Sequence, residues 1–110
     1  MLWGAIMSTV RSIFEEMKDK FRADQCSESL TYYFSVGEEK WTVWVSPEGA
    51  RAEEGKHVNP ADCIIKADPA LFVDMIRNGK KPKPWHFGSK LKTNNPTLLL
   101  KMAQLFGLGS

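Results

Sequence analysis

The first 22 residues place apolar side chains at Leu2, Ile6, Val10, Ile13, Phe14, Met17 and Phe21. Steps of four, three and one keep them on a single stripe of an α-helix. Arg11, Glu15, Glu16, Lys18 and Asp19 fill the opposite side. Ser8 or Thr9 is placed to cap the stretch from Val10 onward, with a frayed turn before it.

From Leu30 the period changes to two. Leu30, Tyr32, Phe34 and Val36 alternate with Thr31, Tyr33 and Ser35, which predicts a strand with one buried face. Gly37 to Lys40 is a hairpin turn, and Trp41, Val43 and Val45 alternate with Thr42 and Trp44 on the return strand. Trp44 is the misfit, an apolar ring on a face that ought to be polar. Pro47 and Gly49 mark a second turn. Ala50 to Glu54 is a weakly apolar third strand near an edge, Gly55 to Pro60 a loop, and Cys63, Ile65 and Ala67 the inward side of a fourth strand.

Asp68-Pro69 and Asn95-Pro96 carry the same start signal, a capping side chain followed by proline at the first helical position. The first opens a helix whose apolar face is Leu71, Phe72, Met75 and Ile76, ended by Gly79. The second opens a helix through Leu98, Leu99, Leu100, Met102, Leu105 and Phe106, closed by Gly107. Between them, Lys80-Lys81-Pro82-Lys83-Pro84 can be neither helix interior nor central strand. Residues 85–89 show no period, and Lys90 to Thr93 reads as a short fifth strand.

This order predicts an α+β fold: a five-stranded, mostly antiparallel sheet covered by helices on one face. The 110 residues contain no repeat and no dividing linker, so they read as one domain. A chain of this length folds without disulfides or metal. An apolar share of 43% excludes disorder, and no apolar run approaches the ~18 residues of a membrane span. No basic residue precedes the apolar start, unlike a signal peptide. Two cysteines, Cys26 and Cys63, are too few for a disulfide framework or a metal set. The expectation is reduced thiols in a cytoplasmic protein with no metal and no cofactor.

Charge changes the picture more than the total of +2 implies. Residues 1–76 carry every acid and balance at −5, whereas residues 77–110 carry seven cations and no acid. The partner of that end is therefore expected to be anionic. Lys80, Lys81 and Lys83, just ahead of Trp85, are the candidate contacts with a membrane surface or lipid headgroup. Nucleic acid is disfavoured: the isoelectric point near 8.6 lies below that of a basic binding domain, about 9, and no recognition motif occurs.

Catalytic patterns are missing. There is no HExxH, GxSxG, GxGxxG or phosphate-loop string. Cys63 falls on the inward side of a strand, where a small hydrophobe is the plain reading. His57 sits in a polar loop, His86 reads as half-buried between Trp85 and Phe87, and the pairs Glu15-Glu16 and Glu53-Glu54 are neighbours that do not converge on a substrate. The chain is not expected to be an enzyme.

The apolar content says more. Four Trp and six Phe are many for a small solid core. Leu98-Leu99-Leu100 also spreads apolar groups through about 200° of the last helix, more than one sheet face needs. The prediction is an apolar cavity between helices and sheet, lined by Phe34, Val43, Phe72, Met75, Ile76, Trp85, Phe87, Leu98, Met102 and Phe106. The plainer alternative is a well-packed core with a dimer patch.

The order of these pieces resembles the sterol carrier protein type 2 family, the intracellular non-specific lipid-transfer domains. The matching segments are Ile13-Phe14-Glu15-Glu16-Met17 with Phe21, Tyr33-Phe34, Lys40-Trp41-Thr42-Val43, Glu53-Glu54-Gly55 and Asn59-Pro60-Ala61-Asp62-Cys63. They continue with the helix from Asp68 to Gly79-Lys80, then Lys90-Leu91-Lys92, then Leu100-Lys101-Met102 to Leu105-Phe106. The resemblance covers about residues 10–107 and implies a five-stranded sheet with helices on one side around a hydrophobic tunnel. It also implies binding of a fatty acyl chain, acyl-CoA, sterol or phospholipid without catalysis, and with the charge split the expectation is a lipid-binding, lipid-transfer monomer or homodimer in transient contact with anionic membranes. The same fold serves in larger enzymes as an appended dimerisation or substrate-binding module, which is the alternative function.

Overall fold

A computed structural model describes residues 2–58, 60–78 and 90–106. Helix α1 spans Leu2–Lys20. Ser8 and Thr9 lie inside it and do not cap its second half, because the helix continues back to Leu2; Ser12 Oγ donates to the Ser8 carbonyl at 3.0 Å. A single 3-10 turn follows at Ala23–Gln25. Strands β1 (Leu30–Val36), β2 (Glu39–Ser46) and β3 (Gly49–Glu54) form the expected meander. Strand β4 is Cys63–Ala67, α2 is Pro69–Arg77, β5 is Leu91–Thr93 and α3 is Pro96–Leu105.

The fold is α+β. Its sheet is ordered β3-β2-β1-β4-β5, with β1 and β4 parallel and the other pairings antiparallel. β3 therefore is an edge strand, in keeping with its weak apolar pattern. Both proline-led helices start as the sequence dictates. The Asp68 carboxylate accepts from Leu71 N and the Asn95 side chain from Leu98 N, each at 3.2 Å. α2 ends at Asn78, whose N–H returns to the Asp74 carbonyl, and α3 at Phe106. The expected terminators Gly79 and Gly107 lie outside the described residues.

Alternation decides which face is covered. Leu30, Tyr32, Phe34 and Val36 on β1, Trp41, Val43 and Val45 on β2, and Cys63, Ile65 and Ala67 on β4 are buried together with Val10, Ile13, Phe14 and Met17 of α1. Leu71 and Phe72 of α2 and Leu99, Met102 and Leu105 of α3 complete the same core. The leucine triplet divides three ways: Leu99 is buried, Leu98 is partly buried, and Leu100 is 68% exposed. Its third member therefore faces solvent and covers no second apolar surface. The helices are pegged by polar contacts: Tyr32 Oη donates to the Leu98 carbonyl at 2.9 Å, and Arg22 N to the Leu105 carbonyl at 2.7 Å. Burial raises the phenol pKa of Tyr32, so it stays a donor.

The other face is not bare. β3 is an edge strand and β4 lies beyond β2 and β1, so the chain between them crosses over those two strands. Thr42, fully buried, receives the His57 N–H at 3.0 Å and donates to the Gly55 carbonyl at 2.7 Å. Lys56 lies over the Tyr33 ring, and the misfit Trp44 is held between Arg51, 4.3 Å above its ring, and the His57 imidazole. Asp62 ends the crossing by accepting from Thr31 N at 2.8 Å while its own N–H donates to Thr31 Oγ1. Among the described residues no helix is long and apolar enough to cross a membrane.

Candidate ligand site

The sequence-predicted lining residues fall into three groups. Phe34, Val43, Phe72, Met102 and Phe106 are all buried in the common core. Met75, Ile76 and Leu98 are partly buried and pack against its margin. Trp85 and Phe87, with Lys80, Lys81 and Lys83 of the headgroup expectation, lie outside the described residues.

At the centre of the core is a ring cluster that sequence reading did not single out. Phe14 stacks on Trp41 at 5.2 Å and on Phe72 at 5.3 Å, and meets the edge of Phe34 at 5.1 Å. Phe34 also contacts Phe72 and Tyr32. Offset and edge contacts of this kind add about 0.5–1.5 kcal/mol per pair to the burial itself. Phe14 and Trp41 were legible as inward positions, yet nothing in their spacing separates a ring hub from ordinary core.

Among the described residues, core side chains line two openings beside α1. The first is a narrow slot where α1, α2 and the end of α3 meet, with Ile13, Met17, Ile76 and Phe106 as apolar walls and Glu16, Lys20 and Arg77 at its polar side. Its free volume is about 10 Å³, room for one water. Arg77 bridges it in bidentate fashion: Nη2 donates to Glu16 Oε2 at 2.9 Å and Nη1 to Oε1 at 3.2 Å. That pair holds the Glu16 carboxyl below the usual carboxylate range and raises Arg77 further.

The second is an open cleft of about 510 Å³ between α1 and the β3 edge, lined by Phe14, Trp41 and Ala52 but also by Glu15, Glu53, Glu54 and His57. Arg11 ties its rim to Glu54 at 3.1 Å and to Glu39 at 3.7 Å. With that many carboxylates the second cleft repels an acidic headgroup. The slot carries two cations against one acid, so its local charge is of the opposite sign.

Nucleophilic groups are held back. Cys63 is fully buried, with its sulfur 3.3 Å from Thr93 Oγ1, and burial pushes its thiol pKa up, away from thiolate. His57 Nε2 is 2.6 Å from the Glu54 carbonyl oxygen, which fixes the ring against the crossover. His86 lies outside the described residues. Among the described residues no three His, Cys, Asp or Glu side chains gather as a metal site.

No protein-family model matches the chain, and no curated protein matches it in sequence. Solved structures resemble it in shape. A double mutant of the sec-alkyl sulfatase PisA1 superposes with a TM-score of 0.73 at 14% identity, covering 89% of this chain and 16% of that one. The stereoselective inverting sec-alkylsulfatase Pisa1 from Pseudomonas sp. gives 0.65 at 16% identity, covering 87% of this chain and 15% of that one. Those proteins are enzymes, and this chain spans only a small part of their length. At such identity the likeness is one of fold.

Proposed function

We propose that this chain is a non-catalytic module of sterol carrier protein-like fold that takes up one apolar chain, such as a fatty acyl or alkyl tail, beneath its helices. The observation that carries the reading is the slot between α1, α2 and α3. Ile13, Met17, Ile76 and Phe106 give it apolar walls, and its mouth is bridged by one solvent-facing ion pair, Arg77 with Glu16. Exposed pairs contribute little to stability, so opening this one costs little. Met17 in its wall, unbranched and flexible, repacks more readily than a branched side chain would. An entering carboxylate or sulfate competes with Glu16 for Arg77 and gains Lys20, while its tail displaces α2 outward. That the similar solved structures are alkylsulfatases is in keeping with a fold that serves beside chemistry on alkyl chains. Cytoplasmic location belongs to the same proposal.

The test is titration with a fluorescent fatty acid, together with native mass spectrometry of the freshly purified chain. Saturable uptake that Ile76→Trp weakens at least about tenfold, with only a small change in melting temperature, supports the reading. No uptake, and no co-purified lipid, overturns it.

A second reading has its own observation. Phe34, Val43 and Phe72 are no more than 2% exposed, and their rings and methyls already fill the space beneath the helices. On that reading the chain is an interaction module of the same fold, and native mass spectrometry shows an empty dimer.

A further inference from the structure

Several cations of the described residues have a partner. Arg11, Arg51, Arg77 and Lys101 pair with carboxylates, Lys40 Nζ donates to the Gly37 carbonyl at 2.6 Å, and Lys56 covers Tyr33. Lys66, Lys90 and Lys92 are distinguished by convergence: among the described residues no carboxylate forms an ion pair with them, and all three line one cleft of about 360 Å³. Ser35, Gly37, Ala67, Asp68 and Pro69 form the rest of it.

Register explains the convergence. Ser35 on β1 lies beside Lys66 on β4, and Lys66 lies directly opposite Lys92 on β5. These three side chains form one cross-strand row on the face away from the helices, at about 5 Å between neighbouring backbones. The crossover covers Thr42, Tyr33 and Trp44 further along that face and leaves this row open. Lys90 closes the row at the end where its carbonyl accepts from Asp68 N at 2.8 Å. Asp68, the acid in the cleft lining, turns its carboxylate into the first turn of α2.

Like charges placed directly opposite across a ladder are unfavourable. Lysines on an edge strand protect it from pairing, which accounts for Lys92, but Lys66 is on an inner strand where no edge needs protection. A multivalent oxyanion seated between them converts the repulsion into charge-assisted hydrogen bonds, with the Ser35 hydroxyl as a further donor. We infer that the cleft of Ser35, Lys66, Lys90 and Lys92 is a binding site for a phosphate group, free or carried on a lipid headgroup. Base stacking of a nucleic acid is disfavoured because the nearby rings of Tyr33 and Trp44 are already covered by Lys56 and Arg51.

The experiment uses the full chain, its Lys66→Gln/Lys92→Gln double variant, and Arg22→Gln/Lys101→Gln as a control of equal charge change on the helical side. One arm titrates inorganic phosphate against chloride of equal ionic strength and follows the amide resonances of Ser35, Lys66 and Lys92. The other measures flotation with phosphatidylcholine vesicles, plain or doped with phosphatidic acid. Saturable phosphate shifts at those amides, weakened about tenfold in the Lys66/Lys92 variant and unchanged in the control, support a site for free phosphate. Flotation confined to doped vesicles, with the same variant pattern, supports a headgroup site. No response in either arm, or equal loss in both double variants, overturns the inference. The cleft faces away from the α1–α2–α3 slot, so fatty-acid uptake by the Lys66/Lys92 variant stays at the parent level, and either proposal can fail without the other.

Discussion

The two faces of the sheet are built from the same alternating strands and behave oppositely. On the helical face, neighbouring positions of β1, β2 and β4 present Phe34, Trp41, Val43 and Ile65, closed over by three helices into one ring-centred core. On the other, the same strands present Ser35, Thr42, Trp44 and Lys66, and a single crossover is the cover. The difference teaches that period two selects a face but not its fate. A helix layer removes whole apolar side chains from water, whereas a loop protects only the rings and hydroxyls it touches and leaves the neighbouring charges in solvent.

The largest test of this contrast is a pair of neighbours. Phe34→Ala removes a fully buried ring in contact with Phe14, Tyr32 and Phe72, and is expected to cost ~3–5 kcal/mol in urea unfolding. Tyr33→Ala, one residue away under Lys56, is expected to cost ~1 kcal/mol. Equal losses would mean that the crossover face is as much a core as the helical one.

Thr42→Val sharpens the comparison from the other side. It keeps the shape of a buried side chain but strands the Gly55 carbonyl and the His57 N–H. The expected loss is ~1–3 kcal/mol, with faster hydrogen exchange at the His57 amide and unchanged exchange in α1. Unchanged exchange at His57 would show that the crossover is held by something other than Thr42.

Asp68→Ala and Asn95→Ala each remove one N-cap of the helical layer, for ~1 kcal/mol apiece. Because the two caps serve different helices, the double variant is expected to lose about the sum. A clear excess over the sum would couple α2 to α3 directly.

The smallest effect is at the Arg77–Glu16 bridge. Arg77 lowers the Glu16 carboxyl pKa, so the bridge is intact above the ordinary carboxylate value of about 4.3 and is lost as pH falls through the lower folded value. Uptake of a fluorescent alkyl sulfate, whose headgroup stays ionised across this window, is expected to quicken on acidification in the parent and to lose that dependence in Glu16→Gln. Stopped-flow traces across that window check it, and the same acid dependence in the variant would remove Glu16 from the gate.

Much of this was legible in the residues. Period-two runs fixed β1, β2 and β4, the Asp-Pro and Asn-Pro signals started α2 and α3, and the inward set named most of the core. Local chemistry suffices for these because a cap or an alternating strand is decided within a few residues. The signal failed where partners are distant in sequence. Ser8 and Thr9 look like caps until the helix before them is seen to continue. Leu100 looks like core until α3 is turned against β4, and Phe14 looks like any inward residue until Trp41 and Phe72 close on it.

What the sequence by itself determined is the identity of the elements, the α+β class and the apolar side of each strand, since these follow from periodicity and capping. Only the tertiary structure decided that β1 pairs with β4 in parallel, and that the resulting crossover buries Thr42 and shelters Trp44. It also decided that Ser35, Lys66 and Lys92 share one row. Ser35 and Lys66, and Lys66 and Lys92, are distant in sequence and meet there through backbone pairing, and pairing register is set by how all five strands fit one helical layer.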